Sequence, residues 1–369
     1  MKTPTSFAVA GAGVFGAWIA YTLRRAGHTV TLLDPYGPAH ARASSGGESR
    51  IIRAAYGSDE IYTRMASHSL KQWTNFFART NRASLFRRTG VLWLTEPLDP
   101  HASASRIVLR KADVEFEDLS PAEVQRRYPQ ILLPPNIGAI FETNAGALLA
   151  RQAVQAVVDE FVRIGGEFRQ AALPQISSDA DVSIYACGPW LAKLFPQLLG
   201  SRLFVTRQEI VFFGAPPGDL RFQPPQLPVW LDFGSNRGMY GFPDLEARGF
   251  KLACDRHGPP IDPDAADRII SPETVTRMRT YLAERFPALA NAPVVDTRVC
   301  QYENTSNGDF IIDRHPDREN VWFVGGGSGH GFKHGPAVAE YLLQILGGAA
   351  AEPRFLLANK KTVQARAVF

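Results

Sequence analysis

The chain has 369 residues, 45% hydrophobic and 21% charged, which gives enough length and apolar material for two packed domains. Its formal charge is +4, spread over many arginines without a long basic run, and this argues against a nucleic-acid partner. Cys187, Cys254 and Cys300 fall in no metal-type spacing and their odd number speaks against a disulfide framework, so no metal site is expected and a cytoplasmic setting fits.

Residues 7–10 form a short apolar strand that runs into Gly11-Ala12-Gly13-Val14-Phe15-Gly16 and out into a helical pattern over 17–25. The first glycine permits the turn, the second lets a phosphate approach the backbone, and the third lets helix and strand pack closely. Gly27 ends the helix, and a second strand over 29–33 closes on Asp34, whose carboxylate is placed to accept hydrogen bonds from a ribose. Strand, turn, helix, strand and acid make a full dinucleotide-binding unit, and the acid argues against NADP. The choice between FAD and NAD has to come from the rest of the chain. Lys2 and the apolar stretch after it belong to this unit rather than to a secretory signal. No apolar run reaches membrane-spanning length, and Arg366-Ala367-Val368-Phe369 is no peroxisomal address.

A Pro/Gly/Ala/Ser connector over 35–46 leads to Gly47-Glu48-Ser49-Arg50-Ile51-Ile52-Arg53-Ala54-Ala55-Tyr56-Gly57. The spacing predicts an amphipathic helix over 60–80 with Met65, Leu70, Trp73, Phe76 and Phe77 inward, then a strand over 86–95. Ser120-Pro121-Ala122-Glu123 is a capped helix start. A helix over 150–164 ends at Gly165-Gly166, a strand over 182–186 precedes Cys187-Gly188-Pro189-Trp190, and 207–213 alternates as a strand. The proline-rich stretch 214–228 reads as a surface loop, and 271–286 as a capped helix. Lys251, between Phe250 and Leu252, points to the face opposite its neighbours, which by alternation alone would expose it. Cys300, taken alone, reads as a packed residue. Near the end, a strand over 321–324, a glycine-rich loop over 325–333 and an apolar helix over 337–346 place Pro336 at a helix start.

Several of these segments together resemble the monomeric sarcosine oxidase family, within the D-amino-acid-oxidase-like flavoenzymes. They are 47–57, Gly238-Met239-Tyr240-Gly241-Phe242-Pro243, Gly249-Phe250-Lys251-Leu252, Ile261-Asp262-Pro263-Asp264, Cys300-Gln301-Tyr302, Asp309-Phe310-Ile311-Ile312-Asp313 and Gly329-His330-Gly331-Phe332-Lys333. The resemblance covers nearly the whole chain and implies an α/β, two-domain fold. A Rossmann-type FAD-binding domain would take 1–82, 144–206 and 296–369, and a discontinuous β-sheet substrate domain 83–143 and 207–295. It further implies that Arg50 lies against the flavin, that Arg53 and Lys333 bind the substrate carboxylate, and that Lys251 activates oxygen. Tyr240, Tyr302 and His330 would line the reaction site. Gly11, Gly13, Val14, Phe15, Gly16, Asp34, Ser49, Gly329, Gly331 and Lys333 would hold FAD, with Cys300 bonded covalently to its 8α-methyl group. A guanidinium suits a carboxylate because its planar fork pairs in bidentate fashion and never loses its charge. This chain departs from the family in carrying Ser45 and Gly46 before the loop, Asp255 where a histidine is usual, and Glu303-Asn304-Thr305-Ser306 in place of a threonine-rich run.

The activity so implied is oxidation of the C–N bond of a small secondary or N-methylated amino acid, with hydride passing to flavin N5 and O2 reoxidising the flavin to give H2O2. A dehydrogenase feeding another acceptor, a flavin-binding subunit of a larger complex and a plain NAD dehydrogenase are the alternatives. The partners expected are a small amino acid with a carboxylate and O2, for a monomer or small homo-oligomer with no nucleic acid or membrane.

Overall fold

The apolar run before the glycines becomes the middle of a parallel sheet. In the computed structural model, which describes residues 5–171, 180–234, 237–265 and 267–364, Ser6–Ala10 pairs in parallel with Thr29–Asp34 on one side and Val182–Tyr185 on the other. Residues 366–369 lie outside the described residues. Glu167–Gln170 and Arg318–Gly325 extend this sheet in parallel, and Ile311–His315 closes its edge antiparallel, giving six strands. Parallel pairing brings the carboxyl ends Ala10, Asp34, Tyr185 and Gly325 to one rim, where open α/β sheets bind ligands.

Helix Val14–Arg25 packs against Ala150–Arg163 and Gly335–Leu346, and Glu60–Arg79 lies on the last of these. An aromatic cluster joins them: Trp18 meets Trp73 edge to face at 4.9 Å, and Phe76 contacts Trp18 and Tyr21. Each such ring contributes roughly 1.5–3 kcal/mol through burial.

The second unit is an eight-stranded, mostly antiparallel sheet. In spatial order it runs Val294–Thr305, Leu203–Phe213, Phe250–Cys254, Met239–Phe242, Val229–Asp232, Val91–Thr95, Gly138–Glu142 and Glu117–Leu119. Alternation along each strand feeds two different cores. Val91, Trp93, Val229 and Leu231 join the core shared with the nucleotide domain, whereas Leu92, Leu94, Trp230 and Leu252 pack with Met278 and Leu282 of helix Pro272–Arg285. A sheet covered on both faces has no exposed side for its alternate residues. Lys251 is consequently 3% exposed, against the exposure that alternation alone suggests.

Other elements also differ from expectation. The run 86–95 is two strands, Phe86–Arg87 and Val91–Thr95, in different sheets, because Gly90 turns the chain at φ +73 and its N–H bonds the Ala145 carbonyl. The strand expected at 207–213 starts at Leu203; it and Val294–Thr305 run continuously across positions 206 and 295 within the eight-stranded sheet. The stretch 214–228 is no plain surface loop, since Phe222 and Leu227 are fully buried in the second core. The final helix starts two residues early, at Gly335.

The helix Pro121–Arg127 carries the capping box read from its sequence, with Ser120 Oγ taking the Glu123 N–H and the Glu123 carboxylate taking that of Ser120. Ser120→Ala is expected to cost about 1 kcal/mol, measured as a lower urea midpoint at unchanged slope.

Candidate active site

The glycines of the first turn divide by what demands them. A Cβ on Gly11, held at φ +99, would sit 2.5 Å from the Ala186 carbonyl oxygen, and one on Gly16 would sit 1.8 Å from that of Gly11. Both are required by the protein's own packing. A Cβ on Gly13 would meet only Ser45 Oγ, at an ordinary 3.5 Å, so what Gly13 keeps open is the adjoining cavity of about 350 Å³. Val14, Phe15, Asp34 and Cys187 line the same cavity. Asp34 accepts the Ala12 N–H at 2.9 Å on one oxygen and that of Tyr36 at 2.8 Å on the other, which fixes its carboxylate at the rim. Ser45 Oγ accepts the Val14 N–H at 3.0 Å, so one helix-start amide is engaged within the protein.

Cys300 lies in strand Val294–Thr305, opposite Gln208, and borders both this cavity and a smaller one of about 70 Å³. Arg50 borders both as well, with Nη2 3.4 Å from Cys300 Sγ and Nη1 donating to the Ser49 carbonyl at 2.8 Å. Gly329 and Gly331 carry the loop past Tyr302 and Phe15: a Cβ on Gly329 would meet the Tyr302 ring at 2.7 Å, and one on Gly331 would meet Phe15 at 2.9 Å.

The smaller cavity gathers Ser49, Arg53, Tyr240, Lys251, Tyr302, His330 and Lys333 from five separate stretches of chain. Arg53 is 6% exposed, and its guanidinium lies between Trp93 and Tyr56, 4.5 and 4.7 Å from the ring centres. The Ala55 carbonyl accepts its Nη1. Lys333 Nζ donates to Tyr56 Oη at 2.9 Å and to the His330 carbonyl at 3.1 Å. His330 stacks on Phe310 and places Nε2 3.0 Å from the Gly308 carbonyl and Nδ1 3.3 Å from Tyr56 Oη, so its ring braces Tyr56. His334, 2.8 Å from the same hydroxyl, is held well below its usual pKa by burial and by Lys333.

On another wall, Lys251 Nζ donates to the Ser49 carbonyl at 3.0 Å and to Ser49 Oγ at 3.1 Å, and lies 4.4 Å from the Phe242 ring centre. Burial, with Arg50 second, pulls its pKa down to about 7. Tyr302 donates its O–H to Asp255 at 2.7 Å; burial and that carboxylate raise its pKa well above the usual value, so the phenol keeps its proton. Burial and Asp255 also raise that of Tyr240.

The sequence did not single out Trp93, Tyr56 or Glu142. Glu142, buried at the end of Gly138–Glu142, accepts the N–H groups of Ala54 and Ala55 at 2.7 and 3.0 Å and so fixes the backbone just after Arg53. Burial pushes its carboxyl up, against those two bonds and the pull of Arg53 and Lys333. Tyr56 lay within the quoted loop, but Trp93 and Glu142 are distant in sequence and carry no local signal.

Residues 6–345 match the family described as FAD dependent oxidoreductase. The chain belongs to this family. Monomeric sarcosine oxidase of Bacillus sp. (strain B-0618) is 31% identical over 94% of this chain and 93% of its own, which bears out the resemblance drawn from the sequence. N-methyl-L-tryptophan oxidase of Yersinia pestis (strain Pestoides F) is 27% identical over 90% of this chain and 92% of its own. The structure of NikD, an unusual amino acid oxidase essential for nikkomycin biosynthesis, matches with a TM-score of 0.79 at 20% identity, covering 98% of this chain and all of that one, and supports the two-domain α/β fold. The protein is thus an FAD-dependent oxidoreductase, and its residues fit the cofactor: Gly13 keeps open the approach that a pyrophosphate needs, and Asp34 is anchored where a ribose would meet it. Among the described residues, no helix is long and apolar enough to cross a membrane.

Proposed function

We propose that this enzyme oxidises the C–N bond of a small secondary or N-methylated amino acid and passes the electrons to O2, releasing H2O2. The observation that carries this reading is the pair of buried cations Arg53 and Lys333, tied through Tyr56 at one cavity. A guanidinium and an ammonium brought to the wall of one cavity suit the carboxylate of an amino acid. The cavity of about 70 Å³, walled by Leu231, Phe233 and Phe242, favours a small side chain.

FAD, bound along the glycine turn and Asp34, supplies the acceptor for a hydride leaving the carbon next to nitrogen. The protein's part is orientation and charge. Arg53 and Lys333 hold the carboxylate, Tyr240 and Tyr302 keep their phenol protons and line the amine side, and the apolar walls exclude water. Lys251 supplies a cation for the oxygen reaction. In the same proposal, 1–82, 144–206 and 296–369 form the FAD-binding domain, and 83–143 and 207–295 the substrate domain.

Screening the purified protein for peroxide release with sarcosine, other N-methyl amino acids, proline, pipecolate and D-amino acids tests the reading. Release with at least one of them, and little with the matching amine that lacks the carboxylate, is expected. Equal release from the carboxylate-free amine would count against it.

Cys300, whose sulfur borders both cavities, is proposed as the covalent tether for FAD. After denaturing electrophoresis the wild type is expected to show flavin fluorescence at its own mass, and Cys300→Ser none. Wild-type protein that loses all its flavin on acid precipitation would contradict the tether.

A further inference from the structure

Glu303 follows Tyr302 in the strand Val294–Thr305 and lies in the wall of the same cavity as Gly13 and Asp34, yet the reaction above makes no use of it. It is 6% exposed, and its Oε1 is sealed from solvent without a hydrogen-bond partner. The glycine run after Arg318–Gly325 presses on it. A Cβ on Gly325 would lie 2.7 Å from Oε1, and the N–H groups of Gly326 and Gly327 face the carboxyl.

Among the described residues, the other elements packed around it bring no cation to the carboxyl. The neighbouring strand presents Val205, the turn after Val182–Tyr185 presents the Cys187 thiol, and Leu191 meets the same glycine. Asp34, which with Glu303 acts on Cys187, is a further acid. An ionised carboxylate only accepts hydrogen bonds, and burying one without a cation or a full set of donors is costly. Burial pushes the Glu303 pKa up to about 8, against the two glycine N–H groups.

We propose that Glu303 is a hydrogen-bond donor to the cofactor: its carboxyl group stays protonated in the loaded protein and gives its O–H to an oxygen of FAD. This rests on the reading that the 350 Å³ cavity holds FAD. The pyrophosphate and ribityl oxygens of FAD are acceptors, and a carboxylate beside them would repel the phosphates. Asp34, with a backbone N–H on each oxygen, serves the same ligand as an acceptor. Two acids in one cavity thus take opposite parts because their surroundings differ.

The test measures FAD affinity of full-length Cys300→Ser protein, in which flavin is exchangeable, by quenching of flavin fluorescence below and above pH 8. If binding needs the proton on Glu303, affinity is constant below the carboxyl's pKa and falls about tenfold per pH unit above it. The double variant Cys300→Ser/Glu303→Gln keeps a donor without a charge and is expected to bind at least as well, with the fall above pH 8 removed. A flat profile in Cys300→Ser, or an unchanged fall in the double variant, overturns the inference. If Glu303→Gln does not fold, the Cys300→Ser profile decides alone. Protein that binds no flavin at any pH overturns the assignment of the cavity, and the inference with it.

Discussion

Replacing Lys251 with methionine is expected to slow the oxygen-dependent half of turnover by about 10² to 10³, the usual effect of removing one preorganised electrostatic partner, while changing the amine-dependent half far less. The first electron reaching O2 makes an anion from a neutral molecule, and a fixed cation beside it lowers that barrier selectively. Hydride uptake from the amine would put its negative charge on the flavin ring system and form no anion on oxygen. Lys251 is suited to this because it is buried, anchored by both oxygens of Ser49, and placed between the substrate cavity and a second one of about 120 Å³. Methionine keeps the length of the stem against Phe242. Its pKa near 7 adds a pH signature: the amine is charged below that pH and neutral above it, so the wild-type oxygen rate should fall as pH rises through about 7. The Lys251→Met profile should lack that step. Stopped-flow absorbance separates the two halves, and a variant that reacts with O2 at the wild-type rate would leave Lys251 a structural residue.

Arg53→Met is expected to raise KM steeply and to cost roughly 2–4 kcal/mol in kcat/KM for an amino acid substrate. The methionine stem still fills the slot between Trp93 and Tyr56, so the fold should survive, but the bidentate fork is lost and Lys333 alone faces the carboxylate. Arg53→Lys should fall between the two, since an ammonium keeps the charge without the fork. For an amine without a carboxylate, wild type and Arg53→Met should differ little. An equal loss on both substrates would mean that Arg53 holds the loop rather than the ligand.

The nucleotide unit was legible because its glycines answer local geometry as well as distant packing: Gly11 turns the chain at φ +99 and Gly16 lies against Gly11 itself, although Gly11 also meets the distant Ala186. The capping box at Ser120 was legible for the same reason. The Arg53 site was legible only in part. Its arginine stands in a recognisable loop, but Trp93 and Glu142, which clamp its side chain and its backbone, arrive on two other strands of the fold. Lys251 shows a different limit. Alternation gives which face a strand residue takes, and only the covering of both faces by packed layers decides that this face is buried. The split of 86–95 turned on Gly90, whose positive φ a run of strand-forming neighbours conceals.

The measurement that bears most directly on the account is the stoichiometry of a single anaerobic turnover followed by air. Flavin-loaded protein mixed without oxygen with an N-methyl amino acid such as sarcosine should bleach its flavin absorbance once. Admitting air should restore it with one H2O2 formed per flavin. Absorbance that bleaches but recovers only with an added electron acceptor other than O2, and without peroxide, would contradict the oxidase assignment.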